Sequence, residues 1–234
     1  VGIGFELSAT DAAVHTEGDE APDEEELVIG KVTLSAVSLK KFITISDEAI
    51  DLSGEEFLDY IFDELTYKIA KLAEDTLLGM VATAGTTATS TSVSVTELSD
   101  DGTDILSIVP TAVANLSDEA ANPVIVMNKL TYASFKSAQL AANYGVDPFE
   151  GLPVYFNNSL KALTAATAST DVWLVVGDFG VGAQANFPNG DEIRIKYDEL
   201  SLAEADLVKI VGREYVGLGL VSDKAFTRVA YDPS

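Results

Sequence analysis

The side chains that most often carry catalysis are nearly missing from this chain. It has one histidine, His15, and no cysteine. Histidine-based triads, multi-histidine metal sites, the H-E-x-x-H motif and thiolate nucleophiles are removed together. His15 stands beside an acidic run and reads as a solvated strand residue. Gly177-Asp-Phe-Gly180 echoes the magnesium motif of kinases. Neither an H-R-D catalytic loop nor a glycine-rich phosphate loop accompanies it, so it reads as a turn after a strand. Gly180-Val-Gly182 and Gly217-Leu-Gly219 lack the third glycine and the strand–turn–helix context of a dinucleotide site. Asp100, Asp101 and Asp104 around Gly102 are spaced unlike a calcium loop and offer at most an adventitious cation site. With 38 acids, accidental carboxylate pairs are inevitable and carry no weight for glycoside chemistry. The expectation is no catalytic residue, no cofactor and no metal.

Charge is the chemistry that remains. Acids outnumber Lys and Arg 38 to 14, a formal net charge of −24. Nucleic-acid readers neutralise phosphates with bases, and anionic membranes repel acidic proteins, so both classes are disfavoured. A wall that must not stick to DNA beside it fits. The acids are densest at Glu17, Asp19, Glu20, Asp23, Glu24, Glu25 and Glu26, seven in ten residues with no base among them. Gly18 and Pro22 mark this stretch as a turn or loop. Such a run repels itself, and a basic surface on the next subunit would relieve it. Arg194 and Lys196 share one side of a strand whose other side carries Ile193 and Ile195, so they are the leading acceptors, with Lys40 and Lys41 second. The alternative is a merely solvated acidic loop.

The elements that must position these groups are readable from periodicity. Ile3, Phe5 and Leu7 alternate with small or polar residues, as in a strand with one apolar face. Val32, Leu34 and Ala36 alternate again, then the phase slips by one and Val37, Leu39, Ile43 and Ile45 continue, which predicts a bulge or corner. Together residues 1–46 form a hairpin of about 40 Å per dozen-residue arm, against a radius of gyration near 18 Å for a compact chain of this size. Isolated hairpins are marginal in water, so this one must lie on something, and a neighbouring subunit is the expected support.

Residues 53–80 read as one long helix. Ser53 and Glu56 form a capping-box pattern, and Leu58, Ile61, Phe62, Leu65, Ile69 and Leu72 make an apolar stripe. Glu64 with Lys68 and Lys71 with Asp75 are spaced for ion pairs on the outer face. A Thr-, Ser- and Ala-rich loop follows at 83–96, with a short strand predicted around Val93 and Val95. Then come helix 104–116, strand Val124–Met127, helix 129–142, and buried strands at Gly151–Phe156 and Val172–Val176. Asn189-Gly190 is the strongest short-range hairpin signal. Leu207–Leu220 is an apolar run broken by Arg213 and Glu214. No stretch approaches the roughly 20 apolar residues of a membrane span. The chain opens on Val1 without a secretory pattern, which reads as a fragment or a processed product.

The order of these pieces resembles the major capsid proteins of tailed bacteriophages, the Hong Kong 97 type. An acidic hairpin leads into Val32-Thr-Leu34, Leu39–Ser46, Asp47-Glu48 and the long helix. Asn122–Asn128, Gly151-Leu-Pro-Val154, Val176-Gly-Asp-Phe179, Arg213-Glu-Tyr215 and Lys224-Ala-Phe226 follow in order. The resemblance covers nearly the whole chain and implies an α+β fold. It has an extended β-hairpin loop (1–34), a peripheral domain with the spine helix 53–80 (35–99, 181–204 and 223–234), and a mixed α/β axial domain (100–180 and 205–222). It further implies a non-enzymatic subunit that self-assembles as pentamers and hexamers into an icosahedral phage or prophage head. That head encloses double-stranded DNA without sequence-specific binding. Scaffolding, protease, portal or decoration proteins are further candidate partners, no membrane is involved, and assembly takes place in the bacterial host cytoplasm before residence in the virion. Some relatives weld their shells by a lysine–asparagine isopeptide bond. Here no lysine precedes Lys31 and no asparagine follows Asn189, so a non-covalent shell is expected. An encapsulin-like nanocompartment shares the implied fold and is the nearest alternative. A monomeric acidic hydrolase or sugar-binding domain is the alternative of a different class.

Overall fold

A computed structural model describes residues 1–8, 28–53, 55–100, 105–142, 144–190 and 192–232. His15, the acidic run Glu17–Glu26, and Asp101, Gly102 and Asp104 lie outside the described residues, as do the side chains of Asp100, Ser53 and Glu56. The fold is α+β, and the chain divides into two units. One comprises residues 1–33, 79–184 and 219–234, the other residues 34–78 and 185–218.

In the first unit, β1 (Gly2–Ser8) pairs antiparallel with β2 (Val28–Thr33), with Ile3 opposite Val32 and Phe5 opposite Gly30. The alternation read from sequence holds: Phe5 is buried, while Gly4 and Glu6 are exposed. Its ring fills the space over Gly30, where an added Cβ would stand 2.5 Å from it. This ribbon is a complete two-stranded sheet. The strand stops at Leu34–Ala36 and resumes as β3 (Val37–Ser46), which takes β10 as its partner. The one-residue phase slip is that change of partner.

Helix α1 (Asp47–Ser53) precedes α2 (Glu55–Thr83), so helical structure begins earlier and ends later than 53–80. Ile61, Leu65 and Ile69 are buried as expected. Leu72 is not: it is 45% exposed, because the buried line steps four residues from Ile69 to Ala73 and rotates Leu72 outward. Both expected ion pairs form, Glu64–Lys68 at 3.5 Å and Lys71–Asp75 at 3.2 Å.

The loop after α2 buries Val93 and Val95, but the strand starts beyond them as β4 (Thr96–Asp100). A 3₁₀ turn (Ile105–Ser107) leads into α3 (Ile108–Ala114), then β5 (Val124–Met127) and α4 (Lys129–Ala141). Asn128 caps α4 by accepting the Leu130 N–H at 3.0 Å. After β6 (Val154–Phe156), β7 (Val172–Gly177) and the short α5 (Phe179–Gly182) come β8 (Ala183–Asn186), β9 (Arg194–Asp198), β10 (Leu207–Leu220) and β11 (Phe226–Tyr231). Gly177-Asp-Phe-Gly180 is the turn expected of it. Asp178 is buried, accepts the Gly180 and Val181 N–H groups that open α5, and also accepts from Asn122.

A five-stranded sheet in the order β4–β11–β7–β5–β6 builds the first unit's core. Strand β7 is buried at all six positions, and Trp173 and Leu174 pack with Phe135, Met127 and Val229. One sequence-based assignment needs correction here. The strand near 151–156 is an edge strand rather than a buried one, with Tyr155 58% exposed. Strand β11 pairs with β4 on one side and β7 on the other.

The second unit lays α2 across a sheet in which β10 pairs with β3 along one edge and with β9 along the other. Residues 207–218 therefore fall in the same unit as β3 and most of α2. The Asn189-Gly190 turn is real: Gly190 has φ +85° and donates its N–H to the Phe187 carbonyl. The hairpin is not, because β8 and β9 both neighbour β10 instead of each other.

Candidate interaction surface

Strand β10 positions the surface of interest. Its fourteen residues alternate strictly over most of their length, even positions buried and odd positions partly open, until Gly217. Val208 and Ile210 point inward with Ile45 against Ile61 and Leu65, and Val216 packs with Leu39 and Ile69. Gly212 lies beneath the helix, where an added Cβ would come within 3.0 Å of Ile69 Cδ1. One face of the sheet is thereby committed to α2. The helix approaches so closely that position 212 has no room for a side chain.

The opposite face is basic. Antiparallel register puts Arg213 between Lys40 on β3 and Arg194 on β9, and Val211 between Phe42 and Lys196. Lys209 follows between Thr44 and Asp198. Five of the chain's 14 bases thus share a three-strand face with one acid, Asp198. Lys40, Arg194, Lys196, Val211 and Arg213 line a shallow depression of about 110 Å³. Lys209 Nζ lies 4.4 Å from the centroid of Phe42, itself 60% exposed, and Arg213 stacks over Tyr215 at 5.0 Å. Among the described residues no acid forms an ion pair with any of the five. Asp198 is engaged locally: hydrogen bonds from the Ser201 hydroxyl, then from the Ser201 and Leu200 N–H groups, hold its carboxyl below the usual range, and the Lys209 charge adds to this. Like charges placed directly across strands repel.

This geometry sorts the acceptors expected from sequence. Arg194, Lys196 and Lys40 are brought together. Lys41 stands opposite Gly212, on the α2 side of the sheet, and cannot join them. Arg213 and Lys209 were missed. They read as interruptions of an apolar run, yet their spacing of four places them on one side of a strand. The acidic residues Glu17, Asp19, Glu20, Asp23, Glu24, Glu25 and Glu26 lie outside the described residues.

The first unit carries a larger cleft of about 650 Å³, between β1 at Ile3–Leu7 and residues Ser117, Glu119, Val181 and Val221–Lys224. No group of three or more metal-binding side chains occurs among the described residues, and no described helix is long and apolar enough to cross a membrane.

Solved structures share this architecture. The capsid of a native GTA particle superposes with a TM-score of 0.73 at 15% identity, covering 99% of this chain and 84% of that one. The Gordonia phage Cozz structure gives 0.64 at 17% identity over 100% and 81%. The mature capsid of bacteriophage PhiM1 gives 0.60 at 8% identity over 100% and 82%. No curated protein matches by sequence. The model of the Phage capsid family matches residues 4–231. A chain with this order of elements, matched almost end to end, belongs to the phage capsid family and is a structural subunit of a capsid.

Proposed function

We propose that copies of this chain close as pentamers and hexamers into an icosahedral head around double-stranded DNA, and that each β1–β2 ribbon completes its packing on a neighbouring copy. The observation that carries this reading is the ribbon itself. It is a sheet of two strands, and such a pair is marginal alone in water. It also exposes Ile29 at 63% beside the exposed Val28. A backbone hydrogen bond from the Lys31 N–H to the Ser90 carbonyl ties its base to its own unit, which leaves the apolar remainder for a partner. A net charge of −24 suits a wall that contains DNA without gripping it. In this reading the subunit performs no catalysis. Assembly occurs in the bacterial cytoplasm, and scaffolding, protease, portal or decoration proteins are the further candidate partners.

Sedimentation and negative-stain microscopy of the purified chain test the reading. Closed particles are expected, and Ile29→Asp should cut their yield without lowering the subunit's melting temperature. A 24.7 kDa monomer at every concentration contradicts it.

A further inference from the structure

We infer that Asn189 is a site of spontaneous covalent modification, where the side-chain amide is lost and the main chain can be rerouted. Loss of an asparagine amide begins when the next residue's main-chain nitrogen attacks the side-chain carbonyl, so the bulk of that next residue governs access. The chain has eight asparagines, and Asn189 alone is followed by glycine. A Cβ built on Gly190 would find nothing within 4 Å, so the space around the attacking nitrogen is open. Both residues are exposed to the water that completes the reaction.

The local structure sets the rate. Residues 187–190 form a β-turn in which the Gly190 N–H donates to the Phe187 carbonyl at 3.1 Å, with Pro188 and Asn189 at its centre. That bond holds the nitrogen back, but an exposed hydrogen bond slows the attack by roughly tenfold at most against an open chain. Other asparagines are better defended. The side chains of Asn115 and Asn128 donate to the Thr111 and Leu160 carbonyls, and Asn157 is buried and accepts the Ser159 N–H.

Water is the one co-reactant. The Gly190 nitrogen loses its proton and bonds to Asn189 Cγ, the Cγ–Nδ2 bond breaks, and ammonia leaves with that proton. Water then opens the cyclic imide. Attack at Cγ gives aspartate, and attack at the main-chain carbonyl of residue 189 gives isoaspartate. Either product adds one negative charge, five residues before Arg194. Isoaspartate also lengthens the main chain by one methylene inside the turn between β8 and β9.

Storage of the intact folded chain, followed by trypsin digestion and fragment mass spectrometry, tests the inference. Residues 162–194 form one tryptic peptide, and Asn186 and Asn189 are its asparagines. The mass gain from amide to carboxyl should build up first at Asn189, as isoaspartate beside aspartate. Higher pH should speed it, because the attacking nitrogen must shed its proton. Unfolding in urea should accelerate it by roughly tenfold at most. Gly190→Ser should slow it, and the unaltered chain carries its own control in Asn158, which is exposed but followed by Ser159. Loss of the Asn158 amide before that of Asn189 overturns the inference. So does reaction at Asn189 seen only after unfolding, or a rate that Gly190→Ser leaves unchanged.

Discussion

The two sheets of this molecule solve burial in opposite ways. In the five-stranded sheet, β7 is covered on both faces and all six of its residues are buried. In the sheet of the second unit, β10 is covered on one face by α2 and left with bases on the other. The first is a finished core, stable on its own terms. The second is a half-finished sandwich whose bare side is organised by charge instead of by apolar packing.

Substitutions in the finished sheet should have the largest effects. Trp173→Ala removes the largest fully buried side chain, and it should cost about 3–5 kcal/mol in chemical denaturation and leave little folded subunit to assemble. Arg228→Ala comes next. Its guanidinium binds Glu97 and donates to the Ala84 carbonyl at 2.6 Å just past the end of α2. Losing those bonds should cost about 1–3 kcal/mol, read as a lower denaturation midpoint.

Asp171 tests the same sheet by pH. The Lys161 ammonium at 2.8 Å, then the Thr167 and Ala168 N–H groups, hold its pKa down at about 2 against an ordinary 3.8. A depressed carboxyl stabilises the fold above its ordinary value, and that stability is lost as the pH falls toward 2. Melting temperature should therefore drop between pH 4 and pH 2 in the native chain, and Asp171→Asn should flatten that drop.

The smallest effect belongs to the bare face. Arg213→Ala removes a charge from between Lys40 and Arg194, and it should leave subunit stability within about 0.5 kcal/mol or raise it slightly. A large loss of stability there would mean the face is part of the core, and the contrast between the two sheets would disappear.

Local patterns were legible in the sequence where local physics decides. The alternation at Ile3, Phe5 and Leu7, the strand Val124–Met127, and the pairs along α2 all follow from period and spacing. What stayed hidden depends on partners far away in the chain. Asn189-Gly190 announces a turn but cannot say that its flanking strands will both prefer β10, because that choice is made by a segment some twenty residues on. Leu72 looks like its neighbours until the sheet beneath α2 selects Ala73 in its place. Arg194 and Lys196 were visible as a pair on one strand. Their union with Arg213 and Lys40 is a matter of register, and register is set by the burial of the opposite face.

Chemical labelling of lysines before and after assembly tests the central claim most directly. If the bare sheet face is covered by a second copy, Lys40 and Lys196 react readily in the dissociated subunit and are shielded in the closed particle. Equal reactivity of these two lysines in both states would show that the face remains open in the shell and would contradict the account.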